Sequence, residues 1–337
     1  MGEQSLLVHC GEELLTRGQR ILGVIADDPR IADWAKEREL PLISPTPSSA
    51  LADKLAESFD YFFSITNLRV IPDAVLAKAR RGGINFHDGP LPAYAGLNVT
   101  AWALMAEEER HGISWHEMSG GVDEGRVLVS REFDVGPQDT CFNLNTTCYE
   151  QAIESFAELA GGLVEGNLEG REQDLGKRTV FGKTKRPEAA STLLWQRSAA
   201  KLDALVRALD FGPAPNSLGS AKVRLPEADG KRSWAVVREA RVLEESTEAA
   251  PGTILAVDPA EGITVATGGG GQIQLRRLAW PCGAELSLAE ILETHGLSGA
   301  DQALPSLEAD EAEALTVLDG ELAKHEGRWI RRLAGLN

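Results

Sequence analysis

The chain has 337 residues, of which 43% are hydrophobic and 25% are charged. These values are typical of a soluble globular protein that is long enough for two domains, each with its own core. The formal net charge of -17 at pH 7 argues against nucleic acid as a partner, because polyanions are bound mainly through basic surface.

The apolar segments, the N-terminus and the cysteines predict compartment and metal content. No apolar run approaches the ~20 residues that span a bilayer, so we expect no membrane association. Residues 1–5 lack the basic region of a secretion signal, which favours the cytoplasm. The four cysteines are scattered without a CxxC pair, which favours reduced thiols. No Cys/His cluster has the spacing of zinc ligands, and we expect no metal site.

The first part of the chain alternates strand-like apolar segments with amphipathic helical segments. Strands are predicted at residues 5–9, 20–25, 41–43 and 60–65, and helices at residues 11–17, 31–39, 49–59 and 73–78. Such alternation with short connections is typical of a doubly wound, mostly parallel α/β sheet. No G-x-G-x-x-G sequence follows the first predicted strand, so a nicotinamide dehydrogenase is disfavoured.

The second part of the chain has a different pattern. After a helix predicted at residues 199–210, short alternating segments lie at residues 221–225, 234–237, 252–257, 262–266 and 272–275. Strands of this kind separated by turns predict a small antiparallel barrel. We therefore predict a catalytic domain over residues 1–180, a small OB-like β-barrel over residues 187–282, and a helical tail or linker over residues 283–337.

Three polar residues form the strongest candidate for a catalytic site. Asn85 and His87 are two apart on a predicted strand, so their side chains share one face at the strand's C-terminal end, where open α/β sheets bind ligands. Asp123 lies in a tight turn of sequence Val-Asp-Glu-Gly that we expect to meet them. An amide, an imidazole and a carboxylate can stabilise an oxyanion and move a proton during acyl transfer to an amine. Taken singly, each residue also fits a structural role, such as a turn aspartate.

These residues resemble the signature of the folate-dependent formyltransferases. The similarity covers residues 1–180 and includes Asn85-x-His87, Leu91 followed by proline, Gly96, and the turn around Asp123. It implies the formyltransferase fold and 10-formyltetrahydrofolate as formyl donor. His87 and the Asn85 amide would donate hydrogen bonds to the formyl oxygen. Asp123 would orient or charge His87 and accept the amine proton.

The same resemblance implies a binding site for the pterin of the donor. The residues concerned are Leu68, Arg69, Val70, Ile71, Gly120, Gly121 and Val122. Aliphatic walls with backbone donors are the usual way in which planar heterocycles are held. Ordinary core packing is the alternative for the three aliphatic side chains of residues 68–71, and solvent exposure is the alternative for Arg69.

The amine substrate is predicted from a finer resemblance. Asn98 lies where methionyl-tRNA enzymes usually have an Arg-Gly-Ala run, and this wording is most similar to the N-terminal formylation domains of nonribosomal peptide synthetases, such as linear gramicidin synthetase. The resemblance implies an aminoacyl group on a peptidyl carrier domain as substrate, neighbouring synthetase domains as partners, and Tyr94 and Asn98 as substrate contacts. Asp88 and Gly89 depart from the family, which often has a serine-containing pair there.

Three other functions remain open from the sequence. A sugar-nucleotide or other small-amine formyltransferase would use the same side chains, and a formyltetrahydrofolate hydrolase would use them with water as acceptor. A catalytically inactive docking domain would keep only the fold. The strand that leads to Asp123 also carries His116, which either supports the site or has a structural role.

Overall fold

The computed structural model describes residues 1–228, 231–297 and 302–334. The chain divides into two compact units. The first unit comprises Met1–Val99, Glu109–Val135 and Leu144–Phe181, and the second comprises Thr100–Glu108, Gly136–Asn143 and Gly182–Asn337.

Residues 1–181 form alternating helices and strands. The helices are α1 (Ser5–Thr16), α2 (Pro29–Glu37), α3 (Leu51–Lys54), α4 (Asp73–Leu76), α5 (Val99–Met105) and α6 (Cys141–Glu165). The strands are β1 (Val24–Ile25), β2 (Leu42–Ile43), β3 (Phe62–Ser64), β4 (Gly83–His87), β5 (Ala95–Gly96), β6 (Arg110–Glu117), β7 (Val127–Asp134) and β8 (Val180–Phe181). α2 begins at a proline after Asp28, whose carboxylate accepts a hydrogen bond from the Arg30 N–H at 2.8 Å and so caps the helix.

The main sheet of the first unit is mixed. Its strands lie in the order β3, β4, β6, β7, and β3 and β4 are parallel, whereas β4–β6 and β6–β7 are antiparallel. α4 carries the chain between the parallel strands, while β6 and β7 are joined by a short loop, which permits antiparallel pairing. The prediction of a mostly parallel sheet is thereby corrected to a mixed sheet. Two short parallel pairs, β1–β2 and β5–β8, complete the strand pairing of this unit.

Two local predictions in this unit were wrong. Residues 5–9 belong to α1 and not to a strand, and Leu6, Leu7 and Cys10 are buried along one face of that helix. An apolar run of five residues does not distinguish a strand from a buried helix. The helix predicted at residues 49–59 shortens to α3, because Leu55 has extended backbone angles and ends it.

The core of the first unit determines which way the β4 side chains face. Phe86 packs into this core beside Trp115, with ring centroids 5.0 Å apart, and Trp115 contacts Phe156 of α6 at 5.1 Å. Side chains alternate along a strand. Asn85 and His87 therefore project from the face of β4 opposite to Phe86.

Residues 182–334 contain an antiparallel sheet and further helices. The helices are α7 (Ala199–Ala208), α8 (Leu288–His295), α9 (Ala309–Ala323) and α10 (Glu326–Ala334). The strands are β9 (Lys222–Ala228), β10 (Lys231–Leu243), β11 (Ile254–Asp258), β12 (Gly262–Ala266), β13 (Gln272–Ala279) and β14 (Glu285–Leu286). The sheet order is β11, β12, β13, β10, β9, with β14 on β13, which makes an antiparallel half-barrel and confirms the predicted strand segments.

The predicted helical tail consists of α8, α9 and α10, and its helices contact other residues of the second unit. Leu307 and Ala312 pack with Ala189, whose N–H donates a hydrogen bond to a threonine hydroxyl of α9 at 2.7 Å. Arg186 forms an ion pair with Glu326 at 2.9 Å. Within the described residues, no helix has the length and hydropathy needed to cross a membrane.

Candidate functional site

The candidate site lies at the C-terminal end of β4, within the first unit. Asn85 and His87 are on β4, and His116 on β6 is the direct cross-strand partner of Asn85. Asp123 lies in the loop between β6 and β7. Antiparallel pairing of β4 with β6 thus carries the chain back to the end of β4, where the loop after β6 can reach the two β4 side chains.

The structure brings the three predicted side chains together around one carboxylate. Asp123 Oδ2 lies 3.7 Å from His87 Nδ1, and Asp123 Oδ1 lies 3.4 Å from His116 Nε2. Asn85 Nδ2 lies 3.1 Å from the same His116 Nε2. The His87 residue is 4% exposed and the Asp123 side chain 11% exposed, so these interactions take place largely out of water.

One nitrogen of the His87 ring is held by the backbone. His87 Nε2 lies 2.7 Å from the carbonyl oxygen of Tyr94. A carbonyl only accepts hydrogen bonds, so Nε2 carries a proton and donates it. Nδ1 faces Asp123 at 3.7 Å and Asp88 at 3.9 Å, and is therefore the ring atom at which a proton can be gained or lost.

Backbone and side-chain hydrogen bonds hold the Asp123 turn in place. The Gly96 N–H donates to Asp123 Oδ2 at 2.8 Å, and the Gln173 amide donates to the Asp123 carbonyl at 2.8 Å. Asp123 has a φ of 55°, in the left-handed region, where aspartate is tolerated better than most residues. Such conformations concentrate at functional sites, where the surroundings maintain them.

The electrostatic environment keeps Asp123 ionised. Burial acts to raise the pKa of this carboxyl, but the imidazole of His116, the positive charge of His87 and the Gly96 N–H outweigh burial and lower its pKa to about 2. Asp123 thus provides a fixed negative charge beside two histidine rings.

This lowered pKa predicts how stability depends on pH. A shift from 3.8 to about 2 contributes about 2 kcal/mol that is present above pH 3.8 and is lost as the pH falls towards about 2. Asp123→Asn should therefore unfold at lower urea concentration than wild type at about pH 7, and the difference should shrink towards about pH 2. The substitution of exposed Asp53 by Asn is the matched control. A difference for Asp123→Asn that stays constant with pH would contradict the prediction.

The proposed pterin segment divides into exposed and buried residues. Leu68 and Val70 are 78% and 89% exposed, whereas Ile71 is buried in a core cluster. Arg69 is ion-paired within the protein, with Glu3 at 3.0 Å and with Asp27 at 3.1 Å. Ile71 therefore has the core position that was its alternative, and Leu68 and Val70 present apolar surface to solvent.

The second predicted pterin segment lies in the loop that precedes Asp123. Val122 is exposed, and its carbonyl accepts a hydrogen bond from Arg178 at 2.5 Å. A Cβ at Gly120 would meet no atom within 4 Å, whereas one at Gly121 would lie 2.0 Å from the Glu124 carboxylate. Open space beside the backbone is thus found at residue 120.

Tyr94 and Asn98, the predicted substrate contacts, follow the end of β4 in a strained loop. Both have positive φ, of 57° and 55° respectively. The Tyr94 ring stacks on Phe181 with centroids 5.3 Å apart, and the Tyr94 N–H donates to the Thr179 hydroxyl at 2.8 Å. Residues 94–98 are thereby fixed against the strand β8.

Several residues of the site were not selected from the sequence. His116 was left undecided, and the contributions of Gly96 and Gln173 were missed altogether. Pairing of His116 with Asn85 requires the register between β4 and β6, which residue patterns along one strand do not contain. Gly96 and Gln173 act through single contacts from distant chain segments. Among the described residues, no group of three or more His, Cys, Asp or Glu side chains is arranged to hold a metal ion.

Comparison with protein families gives two matches in this chain. The family model described as formyl transferase matches residues 46–159, and the model described as formyl transferase, C-terminal domain, matches residues 187–296. A methionyl-tRNA formyltransferase from Coxiella burnetii is 26% identical over 283 residues, which are 83% of this chain and 84% of that protein. A methionyl-tRNA formyltransferase from Acidithiobacillus ferrooxidans is 32% identical over 200 residues, 59% of each chain.

Solved structures of formyltransferases have a similar fold. An N-formyltransferase from Helicobacter canadensis, solved with folinic acid and dTDP-3-aminofucose, has a TM-score of 0.64 at 16% identity, over 82% of this chain and 97% of that chain. HypX from Aquifex aeolicus, solved with tetrahydrofolic acid, has a TM-score of 0.53 at 23% identity, over 76% of this chain and 43% of that chain. Because the two family models together match more than half of its length, the chain belongs to the formyltransferase family and is a folate-dependent formyl-transferring enzyme.

Proposed function

We propose that the chain transfers the formyl group of 10-formyltetrahydrofolate to the amine of an aminoacyl group on a peptidyl carrier protein. The observation that carries the proposed chemistry is the convergence of Asn85, His87 and Asp123 at the end of β4. Together these side chains supply neutral and charged hydrogen-bond donors and a fixed anion in a mostly buried site. These are the groups that acyl transfer to an amine requires.

The reaction passes through a tetrahedral adduct. The unprotonated amine attacks the formyl carbon, and the electrons of the carbonyl double bond move to its oxygen. The Asn85 amide N–H and the protonated Nδ1 of His87 donate to this oxyanion. The bond between the formyl carbon and the folate nitrogen then breaks, and the proton lost by the amine passes to that nitrogen, through water where the two are not in contact. The products are the formamide and tetrahydrofolate.

Of the two roles implied for Asp123, the site favours support of His87. A carboxyl whose pKa is lowered to about 2 is a weak base for an amine proton. It is, however, a permanent anion 3.7 Å from His87 Nδ1, where it stabilises the protonated ring. Asp123 therefore acts chiefly by holding positive charge on His87 while negative charge develops on the substrate oxygen.

The exposed aliphatic residues after β3 support a donor site next to these side chains. Because β3 and β4 are parallel, with Ser64 opposite Asn85, their carboxyl ends meet at one edge of the sheet. Leu68 and Val70 extend from the segment that follows β3 and expose most of their apolar surface. We propose that the pterin ring covers these two side chains, and that the loop at Gly120 supplies backbone groups to its polar edge.

The choice of acceptor is supported by charge and by the finer sequence resemblance. A chain with a net charge of -17 is poorly suited to tRNA, whose binding depends on basic surface. Asn98, in a loop fixed against β8, is the residue that resembles the formylation domains of peptide synthetases. A nucleotide-linked amino sugar is the second candidate, because the similar Helicobacter canadensis enzyme was solved with dTDP-3-aminofucose.

Mass spectrometry of competing acceptors tests the proposal. The enzyme and 10-formyltetrahydrofolate are incubated separately with an aminoacyl carrier protein, a dTDP-amino sugar, methionyl-tRNA and no acceptor. We expect the gain of one formyl group on the aminoacyl carrier protein, and none with Asn85→Ala. Faster formylation of the sugar or of the tRNA would replace the proposed acceptor. Formate release without any amine would indicate a hydrolase, and the absence of any turnover would indicate a docking domain.

The glycine after Asp88 predicts a further effect on activity. A Cβ at Gly89 would lie 2.6 Å from His87 Nε2 and 2.7 Å from the Tyr94 carbonyl oxygen, between the two atoms of their hydrogen bond. Gly89→Ala should therefore displace the His87 ring and lower kcat by about 10²-fold, the cost of misplacing a reacting group by about 1 Å. Gly182→Ala, where a Cβ meets no atom within 4 Å, is the control. Unchanged kcat in Gly89→Ala would contradict this account of the turn.

A further inference from the structure

We propose that His116 is a positioning residue that sets the orientation of the Asn85 amide, so that Asn85 presents N–H to the formyl oxygen. This inference rests on the proposed formyl transfer. His116 contributes no group to the reacting atoms in this role. It acts by deciding which end of an amide faces the substrate, a choice that the shape of the asparagine side chain leaves open.

The hydrogen bonds of the His116 ring assign its proton. His116 Nδ1 lies 2.8 Å from the carbonyl oxygen of Glu117, which only accepts. In the neutral ring the proton is therefore on Nδ1, and Nε2 has a lone pair. Asn85 Nδ2, at 3.1 Å from Nε2, donates to that lone pair. The amide nitrogen of Asn85, and not its oxygen, must then face His116.

This arrangement leaves one N–H of Asn85 for the substrate. The amide nitrogen carries two hydrogens, of which His116 accepts one. If the amide turned by half a rotation, Oδ1 would take the place of Nδ2 and its lone pairs would face the lone pair of His116. His116 thus disfavours the rotamer in which the site loses its neutral oxyanion donor.

The position of His116 is itself well determined. The residue is 2% exposed and lies directly opposite Asn85 in the pairing of β4 with β6. Its anchor, the Glu117 carbonyl, has Gly125 packed against it, where an added Cβ would lie 1.7 Å from the carbonyl oxygen. The glycine of the Val-Asp-Glu-Gly turn therefore allows the loop to close over the carbonyl that holds His116.

A second contact of His116 defines the competing arrangement. Nε2 also lies 3.4 Å from Asp123 Oδ1, a longer distance than its contact with Asn85. A doubly protonated ring would donate to Asp123 and would repel the Asn85 N–H. The neutral ring and the doubly protonated ring therefore predict opposite orientations of Asn85, which makes the proton on His116 a direct test.

Nitrogen NMR of the imidazole rings tests the hydrogen-bond assignment without any substrate. His116→Gln identifies the signals of this ring by their loss. We expect the neutral tautomer with the proton on Nδ1 at the pH of the activity assay, and we expect Asn85→Ala to shift the Nε2 signal because its donor is removed. A proton on Nε2 at that pH, or an Nε2 signal unchanged in Asn85→Ala, would overturn the proposal.

Three substitutions separate positioning from packing. His116→Gln places an acceptor near the position of Nε2, His116→Asn keeps a donor towards Glu117 but cannot reach Asn85, and His116→Leu keeps neither. We expect His116→Leu and His116→Asn to lower kcat by about 10²-fold with little change in the KM of the donor, and His116→Gln to recover most of that loss. The exposed His9→Gln is the control. Equal losses in all three would show a structural role.

A double-mutant cycle tests whether His116 acts through Asn85. In the Asn85→Ala background, His116→Leu should cause no further loss of kcat, because the amide it would orient is absent. Additive losses would overturn the proposal. Wild-type enzyme that formylates no amine would refute the proposed function instead, and the NMR result would still decide the inference about His116.

Discussion

Replacement of His87 by alanine should abolish nearly all formyl transfer, with a decrease in kcat of about 10³-fold. The variant loses the Nδ1 donor that faces Asp123 at 3.7 Å, and with it the charge that the carboxylate stabilises. The effect should lie in kcat, because the developing charge on the oxygen exists in the transition state and not in the bound substrate. Single-turnover mass spectrometry of the formylated amine measures it directly.

Two further substitutions of His87 locate the effect on one ring nitrogen. His87→Gln keeps an N–H near the Tyr94 carbonyl but has no group at the position of Nδ1, so it should be nearly as inactive as the alanine variant. His87→Asn places an amide N–H near the position of Nδ1 and should keep more activity. His295→Ala, which removes another buried histidine in the second unit, should leave kcat unchanged. Full activity of His87→Gln would show that Nδ1 is not used.

Much of the fold could be predicted because local patterns and tertiary structure agree. The short alternating segments after residue 220 became β9 to β13, since alternation, β-branched residues and intervening turns indicate the same structure. The prediction failed at residues 5–9, where a short apolar run fits both a buried helix and a strand. It also failed for the direction of β6 and β7, because strand direction depends on connections and not on strand composition.

The candidate site was predicted in part for a similar reason. Asn85 and His87 are separated by two residues on one strand, and a period of two places them on one face wherever that strand lies. His116 is chemically as conspicuous as His87, but its role depends on lying opposite Asn85 in the register of another strand. The N–H of Gly96 carries no side-chain signal at all, although it donates to Asp123 at 2.8 Å.

The folate segment illustrates a limit of motif reading at single residues. Leu68, Val70 and Ile71 have equivalent apolar side chains in the sequence. In the structure Ile71 completes a core cluster with Val75, whereas Leu68 and Val70 remain exposed. The direction in which each side chain points is set by the turn that the Asn67 side chain makes with the backbone of residue 69. Hydrogen bonds of this kind are not contained in hydrophobic pattern.

Asp123→Asn should lower kcat by about 10²- to 10³-fold while the protein stays folded. Asparagine tolerates the positive φ of this position and can accept the Gly96 N–H through its oxygen, so the change removes the charge and little else. Without the anion, the protonated form of His87 is less favourable, and the ring spends less time as a charged donor to the oxyanion. The pH dependence of kcat should shift towards acid for the same reason.

The matched comparison for this charge is Asp123→Ala, which also removes the hydrogen bond from Gly96. If the charge is the essential element, the asparagine and alanine variants should have similar kcat, and the alanine variant should be the less stable of the two in urea. If the hydrogen bond that fixes the loop were essential instead, the asparagine variant would keep nearly full activity and only the alanine variant would lose it. Because Oδ2 of Asp123 accepts from Gly96 and faces His87 at the same time, only this pair of substitutions separates the two contributions.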